Sequence, residues 1–103
     1  LPTDDAKKLY NTIAEAAMKP AANEFYTQGT TAYNKADYTT AATAFVNANK
    51  CDSTKAEAAY YAAKSYVALN QTEDAKKYYQ YIVDGFRSSS YYSEANAYVT
   101  SHS

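Results

Sequence analysis

Residues 32–45 read AYNKADYTTAATAF, and residues 66–79, a step of 34 further on, read YVALNQTEDAKKYY. Whether this likeness is a repeat or the monotony of an alanine-rich helical chain decides the fold. Aligned at that step, Ala41 falls on Ala75, Phe45 on Tyr79, Ala48 on Ile82, Gly29 on Ala63 and Ala32 on Tyr66. Small answers small at Ala41 with Ala75 and at Gly29 with Ala63, and large answers large at Phe45 with Tyr79. Within each copy an alanine (Ala41, Ala75) is followed four residues later by an aromatic (Phe45, Tyr79) and three after that by an apolar residue (Ala48, Ile82). Steps of three and four put these side chains on one helical face. Two helices approach to about 8–10 Å only where the side chains at the crossing are short, so the alignment predicts a repeated pair of packed helices.

Helix punctuation agrees with that reading. Asp37 and Thr72 stand where the second helix of each pair should start, and Glu73 and Asp74 follow in a first turn, where the helix dipole favours negative charge. Thr54 with Glu57 three residues on reads as a capping box. The expected helices span about 22–35, 38–50, 54–69 and 72–86, with ends uncertain by roughly two to four residues. Ala6, Tyr10 and Ile13 repeat the spacing of Ala41, Phe45 and Ala48, so 4–18 reads as the second helix of a preceding unit, ended by Pro20. From Ser90 the stretch SYYSEANAYVTS predicts a closing helix with Tyr92, Ala95 and Val99 inward, which covers the apolar face of the last unit.

The period and the residues Gly29, Tyr38, Ala41, Phe45 and Ala48, matched by Ala63, Tyr66, Ala75, Tyr79 and Ile82, resemble the tetratricopeptide repeat, a unit of two antiparallel helices. Departures are Ala32 where that family carries an aromatic, and Ser53 and Arg87 where it carries a proline. The resemblance implies one all-α domain over 1–103. It would be a tetratricopeptide-repeat superhelix of about two full hairpins, 22–55 and 56–89, flanked by the partial-repeat helix 4–18 and a capping helix at 90–101. The stretches YYQYIVDGFRSSSYYSEANAYV and DDAKKLYNTIAEAAMKPAANEFYTQGTTAYNKADY further resemble bacterial envelope repeat proteins, the tol-pal periplasmic component and outer-membrane assembly lipoproteins among them. That resemblance implies an extracytoplasmic module of a larger membrane-anchored or exported bacterial protein, and a chain beginning at Leu1 is expected to be part of something longer.

Composition narrows the function classes. A 103-residue chain can remove roughly two-thirds of its unfolded surface from water, enough for one modest core. A net charge of -1 from interspersed Lys, Asp and Glu leaves no basic face for phosphates, so nucleic acid is not an expected partner. No apolar run approaches the roughly 18 residues of a membrane span, so direct membrane insertion is not expected of this segment. The abundance of Ser, Thr and Asn at helical surface positions is in keeping with an exported protein. Thirteen tyrosines and no tryptophan suit shallow surfaces, where a ring packs and its hydroxyl stays wet.

No stretch carries the pattern of a catalytic centre, and neither metal nor cofactor is expected. Cys51, the one cysteine, lacks a neighbouring His or second Cys for zinc or redox chemistry. His102, the one histidine, sits at the end of the chain, where a general base lacks fixed geometry. The adjacent acids Asp4 and Asp5, or Glu73 and Asp74, read as helix-start charges, and the isolated Gly29 and Gly85 form no phosphate-cradling loop. A surface remains. The family resemblance implies a groove lined by the first helix of each unit, with Asn23, Tyr26, Thr30, Tyr33 and Asn34 on one helix, Glu57, Tyr60, Lys64 and Val67 on the next, and Tyr91, Glu94 and Tyr98 on the closing one. Tyrosine gives contact area at low entropic cost and Asn can bond a peptide backbone, so the expected ligand is a peptide or helical segment of a protein partner. A tyrosine-rich face could also bind a glycan. Lys64 is the only cation of the row, which argues against recognition of a C-terminal carboxylate. The alternative is a structural spacer that self-associates through 4–18 and holds no groove ligand, its tyrosines merely covering alanine-rich helices.

Overall fold

The computed structural model describes residues 21–102. Helix runs through 21–34 (α1), Tyr38–Cys51 (α2), Ala56–Ala68 (α3), Thr72–Gly85 (α4) and Tyr92–Ser101 (α5), with no strand among the described residues. α2 packs on α3, α3 on α4, and α4 on α5. The expected helices are therefore present, the ends differing by one or two residues. The expected helix 4–18, and with it Ala6, Tyr10 and Ile13, lies outside the described residues.

The step of 34 reappears in the backbone, at places side-chain likeness could not reach. α1 ends on Ala36 and α3 on Asn70, both left-handed, with φ of 60° and 58°. Around Ala36 the Asp37 amide donates to the Ala32 carbonyl at 2.9 Å and the Ala36 amide to Tyr33 at 3.0 Å. Around Asn70 the Gln71 amide donates to Tyr66 at 2.9 Å and the Asn70 amide to Val67 at 3.0 Å. Crossed bonds of this kind form a Schellman motif, which satisfies carbonyls a helix end would otherwise leave open. The turns between hairpins match as well. Asp52 donates to Ala48 at 3.0 Å and Phe86 to Ile82 at 2.8 Å; Lys55 then donates to Asp52 at 3.2 Å and Ser89 to Phe86 at 3.0 Å. The described residues thus form a repeat-like all-α fold of helical hairpins, and the correspondence carries through to the approach to α5.

Small residues bring the helices together, as the alignment required. Ala41, Ala48, Ala63, Ala75 and Ile82 have no exposed surface, and Phe45 and Tyr79 are buried beside them. At Gly29 the need is steric: a Cβ there would lie 2.8 Å from the Phe45 ring, so only hydrogen fits. One core cluster gathers Ala32, Ala41, Phe45 and Ala62; the other gathers Ala59, Ala63, Tyr79, Ile82 and Ala95. Alanine alone leaves such cores thin, and half-buried tyrosines from α1, α3, α4 and α5 with its cap complete them. The Tyr81 hydroxyl donates to the Ser53 carbonyl, tying α4 to the turn before α3.

Helix starts were read unevenly. Asp37 caps α2 by accepting from the Thr40 amide at 3.3 Å, and Glu73 and Asp74 occupy the first turn of α4. The capping box does not form, because α3 begins at Ala56 and its cap, Lys55, makes no side-chain capping bond. Thr54 instead turns back, its amide and hydroxyl both donating to the Asp52 carboxylate at 3.1 and 2.5 Å. Thr72 is the first residue of α4 rather than its cap, which is Gln71. In α5, Ala95 is fully buried and Val99 packs on the core. Tyr92 is only half-buried, and Tyr91 and Tyr98 take the packing place expected of it.

Candidate binding face

Each expected face residue rides on α1, α3 or α5, Tyr91 as the cap of α5, and the tyrosines among them are more deeply engaged than a bare surface row. Tyr26 and Tyr33 pack on the first core cluster, and Tyr60, Tyr91 and Tyr98 on the second. These rings therefore pack on the core as well as lining the face. With alanine as the core residue, a neighbouring ring must fill the volume alanine leaves. Asn23, Thr30, Asn34 and Glu94 are exposed; Glu57 and Lys64 are half-buried.

Two different neighbourhoods result. In the first, Tyr26 and Tyr33 from α1 meet Phe45 from α2 and Tyr61 from α3. Phe45 and Tyr61 stack at 5.5 Å with planes 27° apart. Tyr26 crosses Tyr61 at 70° and Phe45 at 67°; Tyr33 crosses them at 70° and 69°. These four rings, with Thr30 and Asn34, line a hollow of about 230 Å³. Their polar tips are largely unspent. Among the described residues, the hydroxyls of Tyr26, Tyr33 and Tyr61 and the amide of Asn34 make no hydrogen bond, whereas the Thr30 hydroxyl donates to the Tyr26 carbonyl at 2.9 Å. The Lys55 ammonium lies 5.0 Å from the centre of the Tyr26 ring and donates to Asn23 Oδ1 at 3.0 Å.

The second neighbourhood turns on one carboxylate. Glu94 accepts from the Tyr60 hydroxyl on Oε1 and from the Tyr79 hydroxyl on Oε2, each at 3.0 Å, with the Lys64 ammonium 3.7 Å from Oε2. Tyr91 stacks on Tyr60 at 4.3 Å, Tyr98 leans on Tyr79 at 4.8 Å, and His102 stacks on Tyr98 at 3.9 Å. Glu94, Tyr79, Tyr98, Lys64 and Val67 border a wider hollow of about 480 Å³. Burial, reinforced by the bonded and charged Glu94, pushes the Tyr79 hydroxyl far above the usual tyrosine range. Tyr60 is raised for the same reasons in the same order. For Lys64, burial pulls downward, but the Glu94 carboxylate and Tyr60 outweigh it, and the net shift is upward. Tyr26 and Tyr91 are raised first by burial, and the Glu57 charge adds to both.

Neither a family model nor a curated protein nor a solved structure matches this chain. The face is thus read from its geometry. Phe45, Tyr61, Tyr79 and Lys55 belong to it although sequence reasoning did not assign them there. Tyr61 had a signal, since it lies four residues after Glu57 and so shares its helical side. Phe45 and Tyr79 had been assigned wholly to the core, and a ring can be buried on one side while flooring a hollow on the other.

Proposed function

We propose that this chain is a tetratricopeptide-type repeat module, non-enzymatic, that binds an extended peptide or helical segment of a protein partner across the face formed by α1, α3 and α5. The observation that carries the reading is the first hollow. Aromatic contact area from three helices stands there beside unspent hydroxyls and the exposed Asn34 amide, the combination that holds a segment by ring contact and backbone hydrogen bonds. The 34-residue hairpin repeat supports the family reading, because stacked units align their first helices into one surface. Placement in a larger bacterial envelope protein, outside the cytoplasm, rests on the sequence resemblance. Among the described residues no helix is long and apolar enough to cross a membrane.

The test is a display selection of peptides on the full chain. Selected segments should lose about tenfold or more in affinity with Tyr33→Ala, the loss expected of a central aromatic contact, and bind Lys77→Ala, on exposed α4 surface, as they bind the parent. Equal loss with both variants, or no selectable segment, would refute the groove.

A second reading, a structural spacer with no groove ligand, is favoured by the Glu94 cluster, whose polar groups are already spent on one another. On that reading the tyrosines serve packing, and selection returns nothing.

A further inference from the structure

We infer that the hollow bounded by Tyr26, Tyr33, Phe45 and Tyr61 is an aromatic box for an alkylammonium group, a trimethylammonium head or a methylated lysine side chain. This does not depend on a peptide binding the rest of the face.

Three features of the site point there. The four rings fall into two sets of planes, Phe45 and Tyr61 in one, Tyr26 and Tyr33 crossing it at 67–70°. Rings set at a steep angle to one another can offer negative π-faces to a cation from more than one side, which is how aromatic cages hold quaternary ammonium. Second, at about 230 Å³ the hollow is smaller than the roughly 300–1,000 Å³ of sites for drug-sized ligands, and so fits a headgroup. Third, among the described residues no cationic side chain lines it. Hydroxyls and one amide edge it, polar groups that a soft cation tolerates without needing a counter-ion.

Charges around the box agree. Glu57, at the start of α3, is near enough to act on Tyr26 and supplies negative potential. Lys55 already holds its ammonium 5.0 Å from the Tyr26 ring centre, so the chain itself uses this ring as a cation platform. That same lysine opposes a second cation. Its removal should therefore strengthen binding, a consequence a merely hydrophobic pocket would not share.

The experiment titrates the full chain with choline and with 3,3-dimethyl-1-butanol, its uncharged isostere, following the aromatic NMR signals of the four rings. Choline should saturate, and bind about tenfold or more tightly than the isostere, the difference a desolvated cation–π site gives. Glu57→Gln should weaken choline binding and Lys55→Gln should strengthen it, neither residue being one of the four rings. Tyr33→Leu should abolish it. Trimethyllysine amide and phosphocholine vesicles are run in parallel: the tighter carrier identifies the source of the group, and binding of either supports the box. Equal binding of choline and its isostere, absence of saturation, or a Lys55→Gln variant that binds choline no better would overturn the proposal.

Discussion

The two hairpins solve one packing problem with different residues, and the difference divides the face in two. Where α1 crosses α2, Gly29 has no side chain and the Phe45 ring sits against its backbone; where α3 meets α4, Ala63 stands in place of Gly29 and Tyr79 in place of Phe45. Phenylalanine ends in carbon, so its neighbourhood needs no polar partner and is left as a hollow with ring walls. Tyrosine ends in a hydroxyl that must be satisfied when buried. Glu94 reaches from α5 to satisfy it and takes the Tyr60 hydroxyl on its other oxygen. One hydroxyl thus turns the second hairpin's end of the face into a clasp on the closing helix. Among the described residues, the first end stays open.

Exchanging the small residues is the harshest way to break this comparison. Gly29→Ala should destabilise by about 1–3 kcal/mol, because the clash with Phe45 outweighs the roughly 1 kcal/mol of helix propensity gained. Ala63→Gly should cost about 1 kcal/mol for the opposite reason, lost propensity with no clash relieved. Denaturant melts of both variants check this. A neutral or stabilised Gly29→Ala would mean that α1 and α2 do not approach as described.

The alkaline limb sharpens the same contrast. A tyrosine whose folded pKa lies above its unfolded value contributes stability that is whole below the unfolded pKa and is lost as pH rises beyond it. For Tyr79, and less for Tyr60, the window opens above about pH 10. Unfolding free energy should accordingly be flat from neutrality to about pH 9 and fall beyond about pH 10. Absorbance of tyrosinate should rise late for part of the tyrosines, in step with unfolding. Tyr79→Phe should blunt that fall; an unchanged pH profile in this variant would contradict the clasp.

The helix ends give the smallest effect. Ala36 carries a Cβ in the left-handed region, a conformation costing roughly 1–2 kcal/mol for an ordinary residue, whereas Asn visits it with less strain. Ala36→Gly should stabilise by about 1 kcal/mol and Asn70→Gly by only a few tenths. Thermal melts of the pair rank them, and the reverse ranking would break the equivalence of the two turns.

What the sequence disclosed follows from which physics is periodic. Gly29, Ala41, Phe45, Ala63, Ala75, Tyr79 and Ile82 were legible because close helix approach demands small and large residues at fixed steps. Asp37 was legible because a short acid before a helix has one common use. Thr54 with Glu57 misled because a neighbouring carboxylate, Asp52, offered Thr54 a nearer partner. Ala36 carried no signal, because alanine disfavours the left-handed region it occupies, whereas Asn70, a residue that enters that region more readily, carried a weak one. Of the face, the sequence named the residues on α1, α3 and α5 but not their division. That Glu94 gathers Tyr60, Tyr79 and Lys64 depends on how far α5 tilts onto α3 and α4, which no spacing encodes.

The division is tested most directly by residue-resolved hydrogen exchange on the full chain beside Glu94→Gln. A neutral amide keeps the shape and removes the charge that holds both hydroxyls and Lys64. Repeat units contact only their neighbours, so the variant should lose protection in α5 and in the facing turns of α3 and α4, with 21–51 unchanged. A global loss of about 1–2 kcal/mol at most is expected from hydrogen bonds to a half-exposed carboxylate. Protection that falls evenly through all helices, or that does not change in α5, would contradict a clasp at one end of the face and an open box at the other.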